Sequence, residues 1–134
     1  MITWAKLIEC IRKLEELPNG TGTEVSITYK GTDYMIISYG NKCDIQKCCA
    51  YDPVTRSYSE EIVYEYNSLE ELGKASDIGF SVEECWNELD GMSCEPDFDY
   101  FTLDEIYEGY KEAYEAHMKK ERETKEQKKR NKCT

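Results

Sequence analysis

The sequence predicts an α+β domain: an N-terminal helix, an antiparallel β-meander of three to four strands, and C-terminal helices. Three observations predict it. Apolar residues recur at three-four spacing from Trp4 to Leu14 and again from Leu103 to Met118, the period of a helix with one buried face. Between Glu24 and Tyr66 they alternate instead, the period of a half-buried strand. The turns between the alternating runs are too short for a crossover helix, so the strands pair antiparallel. A chain of 134 residues forms one ordinary domain and buries about two thirds of the surface that it exposes when unfolded. The expected boundaries are a single domain over 1–118 and a basic, solvated helical tail over 119–134.

The first helix carries Trp4, Leu7, Ile8, Ile11 and Leu14 on one stripe, with Thr3 as its N-cap. Pro18-Asn19-Gly20 ends it, because proline cannot continue a helix and glycine accepts the turn. From Glu24 to Lys30, Val25, Ile27 and Tyr29 alternate with polar residues. Gly31-Thr32 makes a two-residue hairpin turn, and Tyr34 to Tyr39 returns, rich in β-branched and aromatic residues. Gly40-Asn41 leads into a third, more polar strand, Lys42 to Tyr51. Asp52-Pro53 opens the next turn. Ser57 to Tyr66 is a fourth strand with Tyr58, Ile62, Tyr64 and Tyr66 on one face.

The second half is helical. Ser68 with Glu71, Ser81 with Glu84 and Thr102 with Glu105 are capping-box pairs. The first precedes Leu69 and Leu72, and Gly73 keeps that helix short. The second precedes Val82, Cys85, Trp86 and Leu89, and Asp90-Gly91 ends it. Met92 to Phe101 reads as a loop. The third opens a helix striped by Leu103, Ile106, Tyr107, Tyr110, Tyr114 and Met118. Beyond Met118 no apolar stripe remains, and a helix without packing frays.

Charge is the most informative property. Residues 1–59 hold seven acids and seven bases. Residues 60–115 hold eighteen acids against two bases, Lys74 and Lys111, a net of −16. Residues 116–134 are basic, with a net of +5. Such a field repels nucleic acid and steers basic partners inward. The plainer reading of the same charge is a solvated surface that serves solubility. There is no run of eighteen apolar residues for a membrane span. Lys6, Glu9, Arg12 and Lys13 interrupt the start, which excludes a signal-peptide apolar block. The expected location is cytoplasmic, with no membrane partner.

Seven cysteines, Cys10, Cys43, Cys48, Cys49, Cys85, Cys94 and Cys133, form an odd set with no secretory context, so reduced thiols are expected. Cys10 and Cys85 fall on apolar helical faces and read as small buried hydrophobes. Cys43, Cys48 and Cys49 are the one group that suggests zinc, and a Cys-based metal module is kept as an alternative. Their C-x4-C-C spacing departs from C-x2-C, and adjacent cysteines on a strand point to opposite faces. Glu95, Asp97 and Asp99 resemble a loose hard-cation loop, without the central glycine and terminal glutamate of the twelve-residue calcium loop. No metal or other cofactor is expected.

Catalytic patterns are missing. There is no glycine-rich phosphate cradle. His117, the only histidine, stands in a charged helix far from any nucleophile, which suits a structural or solvated role. The expectation is therefore a non-enzyme. Its contact residues are sought where acids and tyrosines interleave: Glu84, Glu88, Asp90, Glu95, Asp97, Asp99, Tyr100, Asp104, Glu105 and Glu108. Tyrosine suits an interface because it brings contact area at little entropic cost.

The order of elements, the opening Ile2…Leu7-Ile8…Ile11 and the later Cys85-Trp86-Asn87-Glu88 resemble the small acidic phage-encoded anti-CRISPR proteins. The resemblance covers residues 1–115 at the level of architecture. This chain adds a strand, cysteines and the basic tail. The resemblance implies stoichiometric inhibition of a CRISPR effector nuclease through an acidic, DNA-mimicking surface. The expected partner is a basic nucleic-acid-binding protein, with no direct DNA binding by the acidic zone. A phage or mobile-element adaptor or structural protein is the alternative.

Overall fold

A computed structural model of the chain describes residues 1–17 and 22–132. The fold is α+β. Helix α1 spans Trp4–Glu15, followed by β1 (Thr23–Tyr29), β2 (Thr32–Tyr39) and β3 (Lys42–Lys47). A separate two-stranded ribbon, β4 (Tyr51–Asp52) and β5 (Ser57–Tyr58), precedes β6 (Ile62–Tyr66). Helices α2 (Leu69–Lys74) and α3 (Val82–Cys85), a 3-10 turn at Trp86–Glu88, strand β7 (Gly91–Glu95) and helix α4 (Leu103–Lys132) complete it. The main sheet has five strands in the order β6-β3-β2-β1-β7, with every neighbouring pair antiparallel.

Local chemistry accounts for the element ends. Each expected cap is made: Thr3 accepts from the Lys6 N–H at 3.2 Å, Ser68 from Glu71 at 3.2 Å, Ser81 from Glu84 at 3.3 Å and Thr102 from Glu105 at 3.2 Å. The β1–β2 turn is Lys30-Gly31 rather than Gly31-Thr32. Both residues take positive φ, 48° and 78°, the backbone of the type I′ hairpin. Tyr29 then pairs with Thr32. The expected stop at Pro18-Asn19-Gly20 lies outside the described residues.

Alternation places Val25, Ile27, Tyr34, Ile36, Cys43 and Ile45 on one face, and all are buried with Trp4, Leu7, Ile8 and Ile11 of α1 in one core. Leu69, Leu72, Val82 and Trp86 of the later helices complete that core. The Trp4 and Trp86 rings lie 5.2 Å apart, and the Trp86 indole N–H donates to the Ile2 carbonyl at 2.8 Å. Gly73 lies inside α2, whose C-cap is Ala75, and serves this packing. A Cβ there would stand 2.6 Å from Nε1 of Trp4. Leu14, Leu17 and Ile106 form a second cluster that seats α4 on α1.

Several expectations are corrected. The third strand stops at Lys47, and Tyr51 belongs to the outlying ribbon. The fourth strand is split, so Tyr58 does not share a sheet face with Ile62, Tyr64 and Tyr66. Residues 91–95, read as loop, form β7 beside β1. Its five residues carry too short an alternation to announce a strand whose partner lies more than sixty residues earlier. Cys85 is half-buried at the end of α3 rather than sunk in a core stripe. Helix α4 runs from Leu103 to Lys132, about 45 Å at 1.5 Å per residue, so the residues past Met118 are helical although they carry no apolar stripe. Its i,i+4 contacts include His117 with Glu121 at 3.2 Å.

Candidate protein-binding surface

The ten residues singled out in the sequence fall into separate groups. Glu95 ends β7, and the chain then turns through Pro96 toward α4. Asp97 holds this loop: its Oδ1 accepts the backbone N–H groups of Asp99 at 3.0 Å and Tyr100 at 3.1 Å. Between the loop and the first turns of α4 lies an open groove of about 490 Å³. Pro96, Phe101, Ile106, Tyr110 and Ala113 supply its apolar walls, and Glu95, Asp97 and Glu105 supply its charge. Burial, and then the Glu95 carboxylate, push the Tyr110 phenol up. Tyr100 is 80% exposed beside the groove, edge-on to Phe101 at 4.7 Å.

Asp104 and Glu108 stand four residues apart on α4, on a different helical face from Ile106, Tyr110 and Ala113. The Lys13 ammonium of α1 is raised mainly by its hydrogen bond to Glu16, and the Asp104 charge adds the smallest contribution.

Glu84, Glu88 and Asp90 lie beyond the other end of β7, roughly 16 Å from Glu95 at 3.3 Å per strand residue. Asp90 has a structural task there. Its N–H donates to the Thr28 carbonyl at 2.8 Å, and its Oδ2 accepts the Gly31 N–H at 3.3 Å. The Tyr29 phenol in this corner is pushed up to about 12, first by its hydrogen bond with Cys85, then by burial and the charges of Cys85, Glu88 and Asp90.

The second face of the sheet adds acids that the sequence reading missed. No residue of this face belongs to either apolar core. Register sets Glu95 opposite Glu24, Glu24 opposite Ile37, Ile37 opposite Asp44, and Asp44 opposite Glu65. Four carboxylates therefore stand in one row across five strands. Asp44 is only 6% exposed. It accepts the Tyr39 hydroxyl and the Gln46 amide, each at 3.1 Å. That hydrogen bond to Asp44 is the largest cause of the raised Tyr39 phenol, with burial and the Asp44 and Glu65 charges adding to it. Glu24, Glu65 and Glu95 remain exposed. Glu95 belongs to both features, ending the row and lining the groove.

The cysteines suggested for zinc are not brought together. Cys43 is buried on the helix-facing side of β3, whereas Cys48 and Cys49 are exposed beyond the strand's end. Five extended residues separate Cys43 from Cys48 by roughly 16 Å, whereas thiolates bind one zinc at about 2.3 Å each. Among the described residues, no three His, Cys, Asp or Glu side chains gather as a metal site. The Glu95–Asp99 loop uses the Asp97 carboxylate on its own backbone.

No protein-family model, curated protein or solved structure matches the chain. Among the described residues, no helix is long and apolar enough to cross a membrane.

Proposed function

We propose that the protein is a non-enzymatic binding module that docks its acidic surface on the basic site of a nucleic-acid-handling protein and inhibits it. The observation that carries this reading is the cross-strand row Glu95–Glu24–Ile37–Asp44–Glu65, continuous at Glu95 with an acid-edged apolar groove. Strands lie about 4.8 Å apart, so the row spans roughly 19 Å, with Glu95 beside Glu24 and Asp44 beside Glu65 at ~5 Å and Ile37 between the two pairs. One DNA strand carries a phosphate every ~3.4 Å of axis. Within each pair the spacing approaches that of the phosphates, and the exposed members Glu95, Glu24 and Glu65 are joined by the groove acids Asp97 and Glu105. Phe101 and Tyr110 offer an apolar seat for a side chain flanked by lysine or arginine.

The resemblance in element order makes a CRISPR effector nuclease in the host cytoplasm the first partner to test. The adaptor reading assigns the acids to solubility alone. The two readings separate on the variant Glu24→Lys/Glu95→Lys/Glu105→Lys, which reverses three exposed charges and spares Asp97 and Asp44, whose carboxylates hold local structure. The inhibitor reading expects at least tenfold weaker binding, about 1.4 kcal/mol, with an unchanged circular dichroism spectrum. Equal binding by the variant and the wild type defeats it in favour of the adaptor.

A further inference from the structure

Strand β6 is a free edge of the main sheet. The ladder parity shows which of its backbone groups are unused. The Cys48 N–H donates to the Asp33 carbonyl at 2.9 Å, and this pair continues the β2–β3 register. Residues 42, 44, 46 and 48 therefore bond toward β2, and Cys43, Ile45 and Lys47 bond toward β6. Their partners Tyr66, Tyr64 and Ile62 are engaged. Val63 and Glu65 turn their N–H and C=O groups outward.

Of the features that protect edges, this five-residue strand has only its shortness and the single charge of Glu65. It has no proline and no lysine, and Ile62, Val63 and Tyr64 are each exposed, at 37%, 39% and 37%. An exposed edge with three adjacent apolar residues is a template for another strand. The opposite edge, β7, contains Gly91 and stops at Pro96, which limits pairing there. Of the exposed large apolar side chains among the described residues, six of ten lie between Tyr51 and Tyr64.

We propose that β6 is a self-association edge: two copies of this chain pair β6 with β6, antiparallel about a two-fold axis at Tyr64, and join their sheets into one. A two-fold contact must be self-complementary, and this register is. Val63 meets the partner's Glu65, and both offer outward backbone groups. Tyr64 meets Tyr64 and Ile62 meets Tyr66, aromatic and β-branched pairs that stabilise antiparallel strands. No acid opposes an acid. Moving the axis to Val63 would set Glu65 against Glu61 and oppose like charges. Each copy carries −11, so added salt tightens this dimer, whereas it weakens the acidic contact of the proposed function.

The test is the mass in solution by sedimentation at about 100 μM, a hundredfold above a micromolar Kd, in low and high salt. The expected result is a dimer that strengthens with salt. Val63→Pro removes only an outward N–H, so it should fold and be monomeric. Val63→Asp, which sets an acid opposite the partner's Glu65, is the second variant should the first not fold. With Cys48, Cys49 and Cys133 replaced by serine, Tyr64→Cys should cross-link to a covalent dimer on mild oxidation, because facing residues of a non-hydrogen-bonded pair lie about 4.5 Å apart. A wild-type monomer, or a dimer that survives the folded Val63 variants, overturns the proposal.

Discussion

Glu95 lies directly opposite Glu24 on the outer face of the β1–β7 pair. Like charges in facing positions destabilise a sheet, so the two carboxylates oppose the strand pairing that brings them together. Glu95→Lys converts the repulsion into an attraction. It should raise stability by about 0.2–1 kcal/mol, read as a higher urea midpoint, while weakening partner binding. A variant that is no more stable, or that binds as the wild type does, contradicts the assignment of Glu95 to a binding surface maintained against stability.

Gly73 supports Trp4 directly. With a Cβ 2.6 Å from the Trp4 indole nitrogen, Gly73→Ala must displace a ring packed against Trp86. Although alanine favours helix by about 1 kcal/mol, overpacking costs about 1–3 kcal/mol, so the net effect should be destabilising. Thermal melts of the variant decide the sign, and a raised Tm would show that the indole yields freely.

The buried thiols predict an alkaline limit. Cys43 is pushed up to about 12, mainly by burial and then by the Asp44 charge. Cys94 is pushed up to about 12 in the same way, with Asp99 as its main charged neighbour. The fold holds the neutral thiol, while the unfolded chain ionises near the ordinary value of 9.0. Stability is therefore fully present below pH 9 and falls as pH rises toward 12, by up to ~1.4 kcal/mol per pH unit for each group. Urea midpoints measured from pH 8 to 10.5 should fall less steeply in Cys43→Val than in the wild type. Identical slopes would contradict the role of Cys43.

The loop that shapes the groove depends on Asp97. Its carboxylate accepts two backbone N–H groups, so Asp97→Ala should loosen residues 97–101. Asp97→Asn retains an acceptor oxygen and should preserve the loop. Hydrogen exchange at Asp99 and Tyr100 reads this. Faster exchange in both variants alike would mean that charge, not the hydrogen bonds, holds the turn.

Local signals were legible in the sequence. All four caps follow from a hydroxyl three residues before a helical N–H, and the buried faces of α1, β1 and β2 follow from apolar period. The acidic row was not legible. Glu24, Asp44 and Glu65 each occupy an ordinary outward strand position, and only register aligns them with Glu95. β7 was hidden for the same reason, since its partner β1 is distant in the chain. The helical character of the basic end of α4 was legible from its charged composition, but its extent to Lys132 was not, because no apolar stripe marks it. The groove was half legible: its acids were picked out, but Pro96, Phe101 and Ala113 meet only through the fold.

The most direct test of the central claim is capture of partners from host lysate at ~50 mM and ~500 mM salt, with and without added DNA, because exposed charges are largely screened at the higher value. The expected result is a nucleic-acid-binding protein that is recovered at low salt, lost at high salt, displaced by DNA, and not recovered by Glu24→Lys/Glu95→Lys/Glu105→Lys. A partner held equally at both salt concentrations, indifferent to DNA and to the charge reversal, would contradict it.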